Sequence, residues 1–171
     1  MSVYASQRKK SEMQFMATAL KLQDEILGRW EHNFGIKFTK RVYDRETGEI
    51  TTNRQEPYKR WLAEEMAKRM ITTVNDMVDS IYRANCIYPA FNFEVEDRRR
   101  MINQAIQDCE ALQGQMRALV RNFQLDVNKM MPIVGMILEE EKLLRGWRKD
   151  NNRFYKLIAD KEAKAAAREK K

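Results

Sequence analysis

Apolar residues recur along most of this chain at intervals of three and four, the spacing that puts them on one face of an α-helix. In the first such stretch Phe15, Met16, Ala19, Leu20, Leu22, Ile26, Leu27 and Trp30 share a broad face. Ahead of it, Ser11-Glu12-Met13-Gln14 matches a capping box, in which a serine hydroxyl accepts from the first turn and a glutamine three residues on reaches back. Gly35, after Asn33 and Phe34, is the expected stop. A second stripe follows Glu56-Pro57, where proline suits the first helical position because its missing N–H costs nothing there. It comprises Trp61, Leu62, Met66, Met70, Val74, Met77, Val78 and Ile81 and ends near Cys86. Pro89 and Asn92 enforce a break, after which Glu94, Glu96 and Asp97 crowd the first turn of a third helix, where the amide dipoles favour negative charge. Its stripe is the most regular: Met101, Ile102, Ala105, Ile106, Cys109, Leu112, Met116, Leu119, Val120 and Phe123. Asp126 is the expected N-cap of a fourth helix carrying Val127, Met130, Met131, Val134, Ile137, Leu138, Leu143, Leu144 and Trp147, with Pro132 bending its first turns.

Two segments break the pattern. Between Lys37 and Gln55, Phe38 to Tyr43 and Ile50 to Thr52 favour β-structure around the turn-like Asp44 to Glu49; the segment reads as a small β-hairpin or as a loop, since an isolated two-stranded hairpin is marginal in water. From Phe154 apolar residues thin out into a Lys/Ala-rich tail with helical propensity and almost no apolar face, expected to fray without a partner. The predicted architecture is all-α: an antiparallel up-down-up-down four-helix bundle over residues 11–156, with a hairpin or loop insertion at 37–55 between helices one and two. A basic arm, residues 1–10, precedes it, and a basic tail, residues 157–171, follows.

Composition agrees: only 6 Gly and 3 Pro in 171 residues leave few turn formers. The formal charge of +7 is unevenly placed. Arg8, Lys9 and Lys10 stand without an acid in residues 1–11, residues 151–171 carry seven bases against three acids, and the body between them balances at 22 of each. Basic ends suit a polyanionic partner, although such tails are also commonly just solvated. No apolar run approaches the ~20 residues of a membrane span, and the N-terminus lacks an apolar signal core, so a cytoplasmic protein without membrane contact is expected. Cys86 and Cys109 sit inside helical patterns and read as buried, reduced thiols.

Catalytic constellations are missing from the sequence. Di-metal chemistry in a bundle needs Glu-x-x-His pairs, whereas the lone His32 is preceded at that spacing by Arg29 and reads as a surface or cap residue. There is no Gly-rich phosphate loop and no cysteine pair at zinc spacing, so neither cofactor nor metal is expected. Glu139-Glu140-Glu141 reads as a solvated face, because three consecutive helical positions point in three directions. The expectation is a non-enzyme, which leaves binding.

Arg98, Arg99 and Arg100 open the third helix, and Arg145, Arg148, Lys149, Arg153 and Lys156 close the fourth, interleaved with Trp147, Phe154 and Tyr155. Guanidiniums among aromatics suit phosphate contact and base stacking; equally, they suit local neutralisation of Glu94, Glu96, Asp97 and Asp150. In an antiparallel bundle the two clusters are expected to share one pole, with Arg8, Lys9 and Lys10 placed at the other. Trp147 has two readings, a last core anchor or an exposed stacking platform.

Three segments carry a resemblance: Ser6-Gln-Arg-Lys-Lys-Ser-Glu-Met-Gln-Phe15, Ala84-Asn-Cys-Ile-Tyr-Pro89 with Glu96-Asp-Arg-Arg-Arg-Met-Ile-Asn-Gln104, and Leu143-Leu-Arg-Gly-Trp-Arg-Lys-Asp-Asn-Asn-Arg153. Together they resemble bacterial and phage four helix bundle proteins similar to the accessory variability determinant (Avd) of diversity-generating retroelements, and more distantly the ribosomal-RNA intervening-sequence bundle proteins. The likeness spans roughly residues 5 to 156. It implies a homopentameric barrel without catalytic residues that binds the element's reverse transcriptase and template RNA, with error-prone cDNA synthesis and mutagenic retrohoming belonging to the complex. Two features depart from it, the long 37–55 segment and the tail beyond the usual end. The alternative reading is a structural or protein-interaction bundle of the intervening-sequence type with no nucleic-acid role.

Overall fold

The computed structural model describes the backbone of residues 14–43 and 50–169 and the side chains of residues 14–39 and 56–167. In chain order the elements are α1 (Gln14–Glu31), β1 (Thr39–Tyr43), β2 (Ile50–Gln55), α2 (Pro57–Cys86), α3 (Asn92–Phe123), α4 (Val127–Asn151) and α5 (Arg153–Glu169). The first four helices pack together: α1 touches α2 and α4, and α3 touches α2 and α4, so each has two neighbours around a shared core. Between α2 and α3, Met66 meets Asn122, Thr73 meets Gln115 and Met77 meets Cys109. Numbers rise on one helix as they fall on the other, so this pair is antiparallel. The same holds for α3 and α4, where Asn103 meets Arg148, Glu110 meets Arg145 and Gln113 meets Glu141.

The core follows the apolar stripes. Leu22 and Ile26 of α1, Met70, Met77 and Ile81 of α2, Ile102, Leu112, Met116 and Leu119 of α3, and Ile133, Ile137 and Leu144 of α4 are fully buried. Each such side chain contributes roughly 1.5–3 kcal/mol relative to exposure. Where two adjacent apolar residues competed for the inward face only one could win, because successive helical residues lie about 100° apart. On α1 the small Ala19 and the branched Ile26 face inward, and Leu20 and Leu27 face out. The inward face of α4 is Met130, Ile133, Ile137, Glu140 and Leu144, leaving Val127, Met131 and Leu138 exposed. Trp61 is 54% exposed, since it sits two positions, about 200°, from Ala63 on the buried stripe of Ala63, Ala67 and Met70.

Local chemistry sets the helix ends. Three successive positive φ angles, at Asn33, Phe34 and Gly35, turn the chain after α1, and the buried Phe34 ring stays beside Trp30. Pro57 opens α2. At the start of α3, Glu94 Oε2 reaches back to accept from the backbone N–H groups of Ala90 (2.6 Å) and Phe91 (3.1 Å), which pins the chain just before the helix begins at Asn92. Asp126 Oδ1 accepts from Asn128 N at 3.0 Å and caps α4, within which Pro132 is accommodated. The capping box at Ser11 lies outside the described residues.

Strands β1 and β2 pair antiparallel from Thr39 opposite Gln55 to Tyr43 opposite Ile50, with an irregularity after Lys40. Residues 44–49 between them lie outside the described residues. Glu56 N donates to Phe38 O at 2.9 Å, tying the ribbon's base to the start of α2.

Three expectations need correction. The tail is helical to Glu169: α5 follows α4 after Asn152 alone, which keeps right-handed helical angles, α5 touches α3, and Ile158 is buried. The separate tail predicted from residue 157 is therefore the continuation of a helix that starts at Arg153. Glu140, read as part of a solvated carboxylate run, is fully buried: of three directions taken by three consecutive residues, one points inward. Cys86 is exposed, and only Cys109 is the buried thiol.

Candidate nucleic-acid interface at one pole of the bundle

The start of α3, the end of α4 and the start of α5 meet at one pole, built around a column of rings and guanidiniums. The Trp147 indole stacks on Phe15 with centroids 4.1 Å apart and planes 13° from parallel. The Arg98 guanidinium lies 5.1 Å from the Trp147 ring and 5.2 Å from that of Phe154, so one cation bridges the last turn of α4 and the first of α5. Arg153 lies 5.4 Å from the same Phe154 ring, and Tyr88 meets it edge-on at 6.4 Å. Cations over ring faces are held by the ring quadrupole, ~0.5–2 kcal/mol per contact depending on desolvation.

Asparagines complete the junction. Asn151, almost fully buried, donates through Nδ2 to the Val95 carbonyl at 3.1 Å, and Asn152 Oδ1 accepts from Arg99 at 3.2 Å. Arg148 donates to Asn103 Oδ1 at 3.1 Å. The Tyr155 hydroxyl donates to Glu96, and this bond to a carboxylate holds the phenol pKa above its ordinary value.

The predicted basic residues thus divide into three groups. Arg100 pairs with Asp97 at 2.9 Å, and Arg145 sits between Glu110 (2.8 Å) and Glu141 (2.7 Å); these two act as local neutralisers. Arg98, Arg99 and Arg148 are built into the junction. Lys149, Arg153 and Lys156 are exposed, and among the described residues no carboxylate lies within ion-pair distance of them.

Phe15 belongs to the first turn of α1, and its stack on Trp147 brings the beginning of α1 to this same pole. The expectation that Arg8, Lys9 and Lys10 lie at the opposite pole falls outside the described residues, while α1 itself starts beside the end of α4.

Trp147 combines both of its readings, being half-buried, stacked on Phe15 and capped by Arg98. Reading by stripes missed Asn151, which looks like any polar residue near a helix end, and the aromatic run Tyr88, Phe91 and Phe93 of the α2–α3 connection and the first turn of α3. Three rings within six residues of an interhelical break was a signal available in the sequence. Among the described residues no group of three or more His, Cys, Asp or Glu is placed to hold a metal ion, and no helix is long and apolar enough to cross a membrane. Compared with protein families, with curated proteins and with solved structures, the chain matches none.

Proposed function

We propose that this chain is a non-catalytic accessory protein of a diversity-generating retroelement, of the accessory variability determinant type, that binds a reverse transcriptase and its template RNA to support error-prone cDNA synthesis and mutagenic retrohoming. In this reading it acts in the cytoplasm as a homopentamer of up-down-up-down bundles, each carrying its 37–55 hairpin as an insertion, and the basic poles of the subunits form a ring. The three segments that carry the resemblance motivate the assignment. The observation that supports RNA contact is the exposed trio Lys149, Arg153 and Lys156, without acidic partners among the described residues, beside a pole where Arg98 and Arg153 flank an aromatic ring.

The test is binding of template RNA measured by fluorescence anisotropy across a salt series. Phosphate contacts release counterions, so log affinity falls linearly with log salt, and K149A/R153A/K156A shallows that slope by about 2. A salt-independent affinity overturns the electrostatic contact. In a reconstituted complex with the reverse transcriptase, the same variant lowers template-dependent cDNA synthesis.

A second reading is a protein-interaction bundle with no nucleic-acid role. The exposed apolar stripe Val127, Met131 and Leu138, on one face of α4, favours it. Under this reading the wild-type protein binds no RNA at physiological salt, while V127S/M131S/L138S breaks a native-mass oligomer.

A further inference from the structure

We propose that the aromatic residues of the α2–α3 connection and the first turn of α3 form a stacking platform for unpaired RNA bases, with the exposed cations of α4 and α5 holding the phosphates of the same strand. The proposal rests on the RNA-binding reading above and adds a site with its own ligand class, single-stranded rather than duplex RNA.

Connections between helices are ordinarily polar, yet this one exposes Tyr88 and Phe91, and Phe93 in the first turn of α3 is exposed beside them, the two phenylalanines 59% and 63% exposed. Their exposure is not slackness in the loop. Pro89 between them is buried, and Glu94 accepts hydrogen bonds from the N–H groups of Ala90 and Phe91, which fixes the backbone from which the rings project. The Phe91 and Phe93 rings are themselves stacked, centroids 5.7 Å apart and planes 8° from parallel. A base adding to that pair meets a surface already ordered, so little side-chain entropy remains to be lost. Stacking on such a face is tolerant of base identity and needs a strand whose base faces are open, which a duplex does not offer.

The exposed cations reached through Tyr88 and Phe154 favour a phosphate backbone over a protein surface. Of the acids in the first turns of α3, Asp97 is paired with Arg100, and Glu94 and Glu96 are turned to the Ala90 and Phe91 N–H groups and the Tyr155 hydroxyl. Tyr88 touches Phe154, and Phe154 carries Arg153; Lys149, Arg153 and Lys156 follow at intervals of four and three across the α4–α5 junction. Protein interfaces are depleted in lysine relative to arginine and aromatics, whereas rings beside exposed lysines and arginines are the composition of single-strand binding grooves.

Two RNA probes of equal length, an unstructured strand and a blunt duplex, are titrated by anisotropy against the full chain, F91A/F93A, and the conservative F91W/F93Y. F91A/F93A weakens binding of the single strand at least about tenfold, leaves the duplex within about twofold, and leaves the salt slope unchanged; F91W/F93Y restores the single strand. A 2-aminopurine in the strand is quenched on binding by the wild type and not by F91A/F93A. Equal binding of the single strand by wild type and F91A/F93A, or equal losses on strand and duplex, overturns the platform while leaving the RNA reading in place. Absence of any binding by wild type overturns that reading first. Unchanged RNA binding by F91A/F93A with loss of reverse transcriptase capture assigns the rings to a protein partner and overturns the platform.

Discussion

Glu140 is the residue whose environment is least like its ordinary one. It faces the core of α4 fully buried, and neither carboxylate oxygen has a hydrogen-bond partner among the described residues. Burial, aided by neighbouring Glu139, pushes its pKa up to about 8, so the folded protein keeps it protonated at neutral pH. A folded pKa above the unfolded one contributes stability that is full below the unfolded value of 4.5 and is lost as pH rises through about 8. Urea midpoints of the wild type accordingly fall between pH 5 and 9. E140M, of similar volume and apolar, flattens that decline and gains ~1–3 kcal/mol at pH 8. A wild-type midpoint constant over this range would contradict the assignment. The same scale separates the arginine triplet: R98A removes the bridge between Trp147 and Phe154 and costs ~1–2 kcal/mol, while R100A, on an exposed pair, stays within ~0.5 kcal/mol. Three adjacent arginines look alike in sequence because nothing local says which one faces a ring thirty or more positions downstream.

Among the elements, α5 stands apart. Its helix was legible as propensity, and its continuity with α4 was not, because Ile158 is its one buried side chain among the described residues, too sparse to register as a stripe. I158A therefore costs ~2–4 kcal/mol, whereas truncation after residue 160 changes the urea midpoint little, since residues 159–167 are exposed throughout. Hydrogen exchange supplies the check: amides beyond residue 162 exchange far faster than those of α3, and slow exchange there would show a contact not accounted for. Element by element, the stripes located α1 to α4 because a 3.6 period survives single substitutions. They failed where Leu20, Trp61 and Met131 offered equally apolar neighbours of the residues that packed. Periodicity fixes a face to within about one residue's rotation, and packing chooses the rest.

For the molecule as a whole, the charge tally read from the sequence gained its meaning only from the assembly of one pole. Arg98 with Trp147 and Phe154, Asn151 with Val95 and Phe15 with Trp147 are contacts between residues 49 to 132 positions apart, and no local pattern encodes them. The shared pole of the two basic clusters followed from topology, and the same topology brings the start of α1 there too.

The Trp147 stack has an optical consequence. The chain's tryptophans are Trp30, Trp61 and Trp147, and among the described residues Trp147 is the one that meets both a phenyl ring and a guanidinium at the proposed interface. In a W30F/W61F protein its emission becomes a private gauge of that pole: an anion drawing Arg98 from the indole face changes the quantum yield, and a ligand bound elsewhere leaves it constant. A titration in which anisotropy reports RNA bound while this single emitter stays unchanged would move the binding site to another part of the bundle.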